Sequence, residues 1–164
     1  MGNIFEEFDK IYDTKALAEE IKNSSDTPVY KNVPDGEYEV SIIKMELVST
    51  KETHKPMVSV WFKILNGDYK GQMIFMNQII DYNGEHDSFK VKIVNDFLRS
   101  LDSDLNIEFQ SYTQYTNLLM DVMEEIDGKF EYGLKYTHNR KGFAQFEITE
   151  VFELEWFHDL TGTG

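Results

Sequence analysis

The spacing of apolar residues changes period three times along the chain, and each change marks a change of element. Residues 4–21 place Ile4, Phe5, Phe8, Ile11, Tyr12, Leu17 and Ile21 at loose helical spacing with acids between them, which predicts an acidic amphipathic helix. Asn23-Ser24-Ser25-Asp26-Thr27-Pro28 reads as a linker, and Val33-Pro34-Asp35-Gly36 is a turn signal that opens the compact part.

From Glu37 the period drops to two. Tyr38, Val40 and Ile42 alternate with polar residues, and the register slips near Ile43–Met45 as a bulge would make it. After a polar connection over 48–56, Val58, Val60, Phe62 and Ile64 alternate with Met57, Ser59, Trp61 and Lys63. That is a strand with two distinct faces. Asn66-Gly67-Asp68 predicts a tight turn, and Gly71 to Ile80 a third strand.

The period then lengthens. Ile93, Val94, Phe97, Leu98 and Leu101 form a helical stripe, with Asp87 or Ser88 as its expected cap. Leu118, Leu119, Val122, Met123 and Ile126 form a second, with Ser111 and Gln114 as a capping box and Gly128 as the stop. Phe130, Tyr132, Leu134 and Tyr136 return to alternation, Thr137–Gly142 turns, and Ala144, Phe146 and Ile148 continue toward Leu154. Three strands, a helical insert and two strands make a mainly β chain with helices, of the α+β class. Their order is that of a five-stranded OB-like Greek-key barrel with its insert between strands 3 and 4. The expected division is an N-terminal helical segment and linker over 1–28, the barrel over 29–155 and a tail over 156–164.

Composition narrows the function. The 164 residues contain no Cys, which removes disulfides, thiolate metal sites and a cysteine nucleophile. No apolar run is long enough to span a bilayer, and the start lacks the basic and apolar regions of a secretory signal. A cytoplasmic location is therefore expected. The net charge of −14 argues against an acidic partner, yet its distribution is uneven. Residues 83–126 carry nine acids and three bases, and residues 148–164 four acids and no base, while 127–147 alone are net positive.

The cations fall where an OB barrel would grip an oligonucleotide, on the loops joining strands 1–2 and 4–5. The first loop carries Lys51, His54 and Lys55, the second His138, Arg140 and Lys141. Stacking needs aromatic faces as well. Trp61 falls on the polar face of its strand beside Ser59 and Lys63, with Phe75, Tyr136 and Phe143 as weaker candidates. Lys44, Lys70, Lys129 and Lys135 extend the charged track.

Signatures of catalysis are thin. His54, His86, His138 and His158 have no metal-ligand spacing, and no phosphate-cradling glycine loop or nucleophile elbow occurs. Glu85-His86-Asp87 sits at a helix start, where acids favour the dipole, and reads as a cap rather than a cation site. No enzyme activity, metal or cofactor is expected.

Read in order, Val33-Pro34-Asp35-Gly36-Glu37-Tyr38, Lys55-Pro56-Met57, Tyr69-Lys70-Gly71-Gln72 with Ile74-Phe75 and Asn77-Gln78, Asn95-Asp96-Phe97-Leu98-Arg99-Ser100-Leu101, and Lys141-Gly142-Phe143 with Ile148-Thr149-Glu150-Val151 form a series. It resembles the single-stranded DNA-binding proteins of phages and prophages of Firmicutes, formerly catalogued as a phage domain of unknown function and encoded among replication and recombination genes. The similarity runs over about 30–152 and the acidic start. It implies a non-catalytic, sequence-tolerant OB-like binder of single-stranded DNA in the infected or lysogenic bacterial cell. A phage recombinase or helicase is the expected protein partner, and a homo-oligomer the expected aid to a short footprint. The resemblance assigns no contact residues, so those named above rest on residue chemistry. Familiar bacterial counterparts end in a disordered acidic tip. Here Glu150–Leu160 is acidic but aromatic, and Trp156 and Phe157 favour packing. The rival reading is an acidic protein-interaction factor whose carboxylates imitate DNA phosphates and occupy a host nuclease or defence protein.

Overall fold

A computed structural model describes residues 32–84 and 87–154. The chain divides into two units, 1–31 and 32–164, and the first lies wholly outside the described residues. The expected N-terminal helix, Glu85 and His86, and residues 155–164, which include the expected tail over 156–164, likewise fall outside them.

The elements are β1 (Gly36–Ser49), β2 (Pro56–Ile64), β3 (Met73–Ile79), α1 (Ser88–Arg99), α2 (Tyr112–Ile126), β4 (Phe130–His138) and β5 (Ala144–Glu153). The strands form one antiparallel sheet in the order β3-β2-β1-β4-β5. The α+β class and the double-helix insert follow the expectation. β1 is the spine: its start pairs with β4 over Gly36–Val40, and from Val40 to Ser49 it pairs with β2.

The expected slip is present. Ile42 pairs with Phe62 but Lys44 with Trp61, so Ile43 is the extra residue of a bulge and is 46% exposed. A bulge flips the side-chain parity beyond it. Val40 and Ile42 therefore point inward before it and Met45 after it, while Lys44 is turned outward beside Trp61.

Two local expectations need correction. β3 begins at Met73, because Gly71 adopts φ +85° and its N–H donates to the Ile64 carbonyl at 2.8 Å, prolonging the turn from Gly67. That left-handed backbone cannot join a strand. Asp87 takes the N-cap position of α1, one of the two expected, but its side chain makes no cap hydrogen bond. Asp87 Oδ2 instead accepts the Asn83 N–H at 2.9 Å, and Oδ1 faces Lys90 Nζ at 3.4 Å. The buried stripe of α1 is Val94, Phe97 and Leu98, whereas Ile93 is 43% exposed. On α2 the capping box forms as expected: Ser111 Oγ accepts the Gln114 N–H at 3.0 Å and the Gln114 side chain reaches back. Gly128, at φ +73°, follows its end.

The core fills the space between the sheet's inner face and the two helices, with α2 against β1. Phe62 stacks on Phe146 of β5 at 6.0 Å and meets Phe97 of α1 edge-on at 5.8 Å. β2 and β5 are three places apart in the sheet, so this contact requires the sheet to curl over its core. Burying each such ring contributes about 1.5–3 kcal/mol. The phenols inside are satisfied: Tyr132 donates to the Leu101 carbonyl at 2.8 Å and Tyr115 to Asn95 Oδ1. Burial holds both hydroxyls in the protonated form well above the usual tyrosine range. Among the described residues, no helix is long and apolar enough to cross a membrane.

Candidate nucleic-acid interface

Alternation that buries Val58, Val60, Phe62 and Ile64 turns Met57, Ser59, Trp61 and Lys63 to the other side of β2. Trp61 lies on that outer face, half-buried, as its position in the strand predicts. Cross-strand register then fixes its neighbours. Phe75 of β3 stands opposite on one side and Lys44 of β1 on the other. The indole and Phe75 ring meet edge-on, with centroids 5.4 Å apart and planes at 89°, and Phe75 keeps 41% of its surface exposed. Lys44 Nζ sits 4.4 Å from the indole centroid and 3.2 Å from Glu46 Oε1. Lys63 is exposed on the same face, in register with Ser41 and Met73.

One row along, Ser59 of β2 pairs with Asn77 of β3. Ser59 Oγ accepts the Trp61 Nε1–H at 3.2 Å and donates to Asn77 Oδ1 at 3.0 Å. This chain holds the indole in one orientation and consumes its only hydrogen-bond donor. Ser59 is expected only as a polar neighbour of Trp61, and Asn77 is not expected at the site. Their signal is the polar residue two before Trp61, on the same face.

The two basic loops lie at opposite ends of β1. In the β1–β2 loop, Thr50 Oγ1 accepts the Lys55 N–H at 2.9 Å and His54 takes a left-handed φ of 51°. Lys51 and His54 are exposed there, and Lys55 Nζ lies 3.7 Å from Asp81 Oδ2. In the β4–β5 loop, Asn139 Oδ1 accepts the N–H groups of Lys141 and Phe143 at 2.9 and 3.0 Å, closing a tight turn. It presents Arg140, Lys141 and Phe143, the last 66% exposed. His138 is clasped at the base: its Nδ1 pairs with Asp35 Oδ1 at 2.6 Å and its N–H donates to Oδ2 at 3.2 Å. That clasp ties the loop to the start of β1. Lys51, Lys63, Arg140 and Lys141 make no ion pair among the described residues.

Not every candidate joins this face. Tyr136 points inward, packed on Phe146 at 5.5 Å, and its burial raises its hydroxyl above the usual range. Lys135 is exposed on β4, in register between Glu37 and Glu147. Lys70 lies in the β2–β3 turn, and Lys129 stands 5.2 Å over the Phe130 ring ahead of β4. Among the described residues, no three His, Asp or Glu side chains converge as a metal site would need.

An antiparallel five-stranded α+β protein with an aromatic pair and cations on the outer face of one half of its sheet is the class that fold and site define. Residues 20–137 match the family described as protein of unknown function (DUF669), and the chain belongs to that family. No curated protein and no solved structure matches it.

Proposed function

We propose that the protein is a non-catalytic, sequence-tolerant binder of single-stranded DNA that serves phage replication or recombination, built on an OB-like barrel. The strand order β3-β2-β1-β4-β5 is that of a five-stranded Greek-key barrel cut between β3 and β5, and the long bulged β1 shared by both halves supports the same reading. In such a barrel the β2–β3 face and the two loops flanking it hold the oligonucleotide.

The observation that carries the proposal is the outward pair Trp61 and Phe75 with Lys44 beside it, on the face of β2 opposite the one that packs on the core. Aromatic faces stack on any base, contributing about 1–3 kcal/mol each, while cations follow the phosphates. A base arriving on the indole takes the place of the Lys44 ammonium, which lies 3.2 Å from Glu46 Oε1 and is displaced along the face. Because the Trp61 N–H is spent on Ser59, the indole contributes stacking and no hydrogen-bond readout, which favours tolerance of sequence.

Titration of a fluorescent oligo-dT at low and moderate salt tests this. Saturable binding that weakens with salt supports it. Absence of binding at low salt refutes it and turns attention to the DNA-mimic reading, in which the −14 charge is itself the binding surface. The salt slope is expected to be shallow, since few unpaired cations are available. Strand coating by a short-footprint domain gains from cooperativity, so a self-associating protein and a recombinase or helicase as recipient of the coated strand belong to the same proposal.

A further inference from the structure

Asp81, just past β3, is the hub of an ion cluster outside the aromatic face. Its Oδ1 lies 2.7 Å from Lys90 Nζ of α1, its Oδ2 3.7 Å from Lys55 Nζ of the β1–β2 loop and 3.1 Å from Asn83 Nδ2. The Ile80 N–H donates to the Pro56 carbonyl at 2.8 Å, which fixes the carboxylate beside the base of that loop. The Asp81 carboxyl is only 13% exposed, whereas the Lys55 side chain is 45% exposed. One cation of the loop is thus reachable from solvent but already matched to a fixed anion, while Lys51 on the same loop has no such partner among the described residues.

We propose that Asp81 is a built-in competitor of the nucleic-acid phosphate: it occupies Lys55, keeps this loop from adding its second phosphate contact, and so limits how tightly and how salt-sensitively the protein holds a strand. This rests on the DNA-binding reading above and goes beyond it by assigning a regulator of the site. A basic partner segment that pairs with Asp81, or a charge-removing change at Asp81, would release the loop, whereas Lys90 would stay held by Asp87 at 3.4 Å.

For single strands the log–log salt slope changes by about 0.7 per phosphate contact, equivalent to about 5-fold in affinity at 0.1 M salt. Asp81→Asn, which keeps the size of the side chain, is therefore expected to bind oligo-dT about 5-fold more tightly at that salt with a slope steeper by about 0.7. Lys55→Gln should leave the parent's slope unchanged, while Lys51→Gln flattens it by about 0.7. In the Asp81→Asn background, Lys55→Gln should remove the gain.

Equal flattening by Lys55→Gln and Lys51→Gln in the parent overturns the proposal, and does so even if Asp81→Asn does not fold. Unchanged or weaker binding by folded Asp81→Asn overturns it as well, leaving Asp81 as a structural tie. If the parent itself binds no oligo-dT, the functional reading has failed and this inference with it. A binding parent with an unresponsive Asp81→Asn condemns the inference alone.

Discussion

The two faces of β2 differ in what they ask of an aromatic ring. Phe62 points inward with no exposed surface, touching Phe97 and Phe146 from a helix and a distant strand. Trp61, one residue earlier, meets Phe75 and Lys44 from the strands at its sides and hydrogen-bonds along its own face. The inner ring closes the sheet over a core. Among the described residues, the outer one is held in place by its neighbours and stays half-buried. An oriented, half-buried ring on the outer face supports the binding role proposed for it.

Substitutions on the two sides should separate stability from binding. Phe62→Ala is expected to cost about 3–5 kcal/mol of unfolding free energy in chemical denaturation, because transfer and cavity terms add in a packed core. Whatever folds of that variant should still bind oligo-dT with parental affinity, and a specific loss of affinity would show that the inner face shapes the site. On the outer side, replacing Lys51, Arg140 and Lys141 together by Gln should leave stability within about 0.5 kcal/mol of the parent. The salt slope for oligo-dT should become shallower by about 2, which salt-dependent titration reads directly.

Ser59→Ala sharpens the contrast further. It strands the indole N–H and removes a hydrogen bond of about 0.5–1.5 kcal/mol, so the expected results are a modest loss of stability and a shifted Trp emission. Weaker binding than the loss of the relay explains would mean that Ser59 touches the nucleic acid itself.

The smallest effect concerns acid. Lys90's hydrogen bond and charge, assisted by Lys55, hold the Asp81 carboxyl below its ordinary value of 3.8. A lowered carboxyl stabilises the fold at pH above that ordinary value, and the stabilisation fades as pH falls through the folded value. The parent's advantage over Asp81→Asn in denaturation should therefore be full at about pH 6 and shrink below about pH 4. An advantage that persists at lower pH would place its origin in packing.

Much of this was legible in the residue order. Alternation in β2 needs no tertiary information, so the outward placement of Trp61 followed from Val60 and Phe62 alone. The β1 bulge showed itself as a lost beat in that alternation, and Ser111 with Gln114 announced α2 because a capping box is a local exchange of hydrogen bonds. What was hidden depended on pairing. Tyr136 read as a stacking candidate until β5 placed Phe146 against it. Lys55 read as a free cation because Asp81, twenty-six positions on, returns beside it only when β3 pairs with β2. The α1 cap failed for a similar reason: Asp87 found Asn83 and Lys90 instead of the helix amides. The Ser59–Asn77 relay likewise exists only through cross-strand register.

The most direct test of an outward aromatic platform is paired measurement on Trp61→Ala: unfolding free energy by denaturation and oligo-dT affinity by anisotropy of a labelled strand. The expected result is a cooperatively folded protein that binds about 1–3 kcal/mol more weakly than the parent. Parental affinity in a folded variant, or a collapse of stability like that of Phe62→Ala, would contradict the assignment of this face as the site.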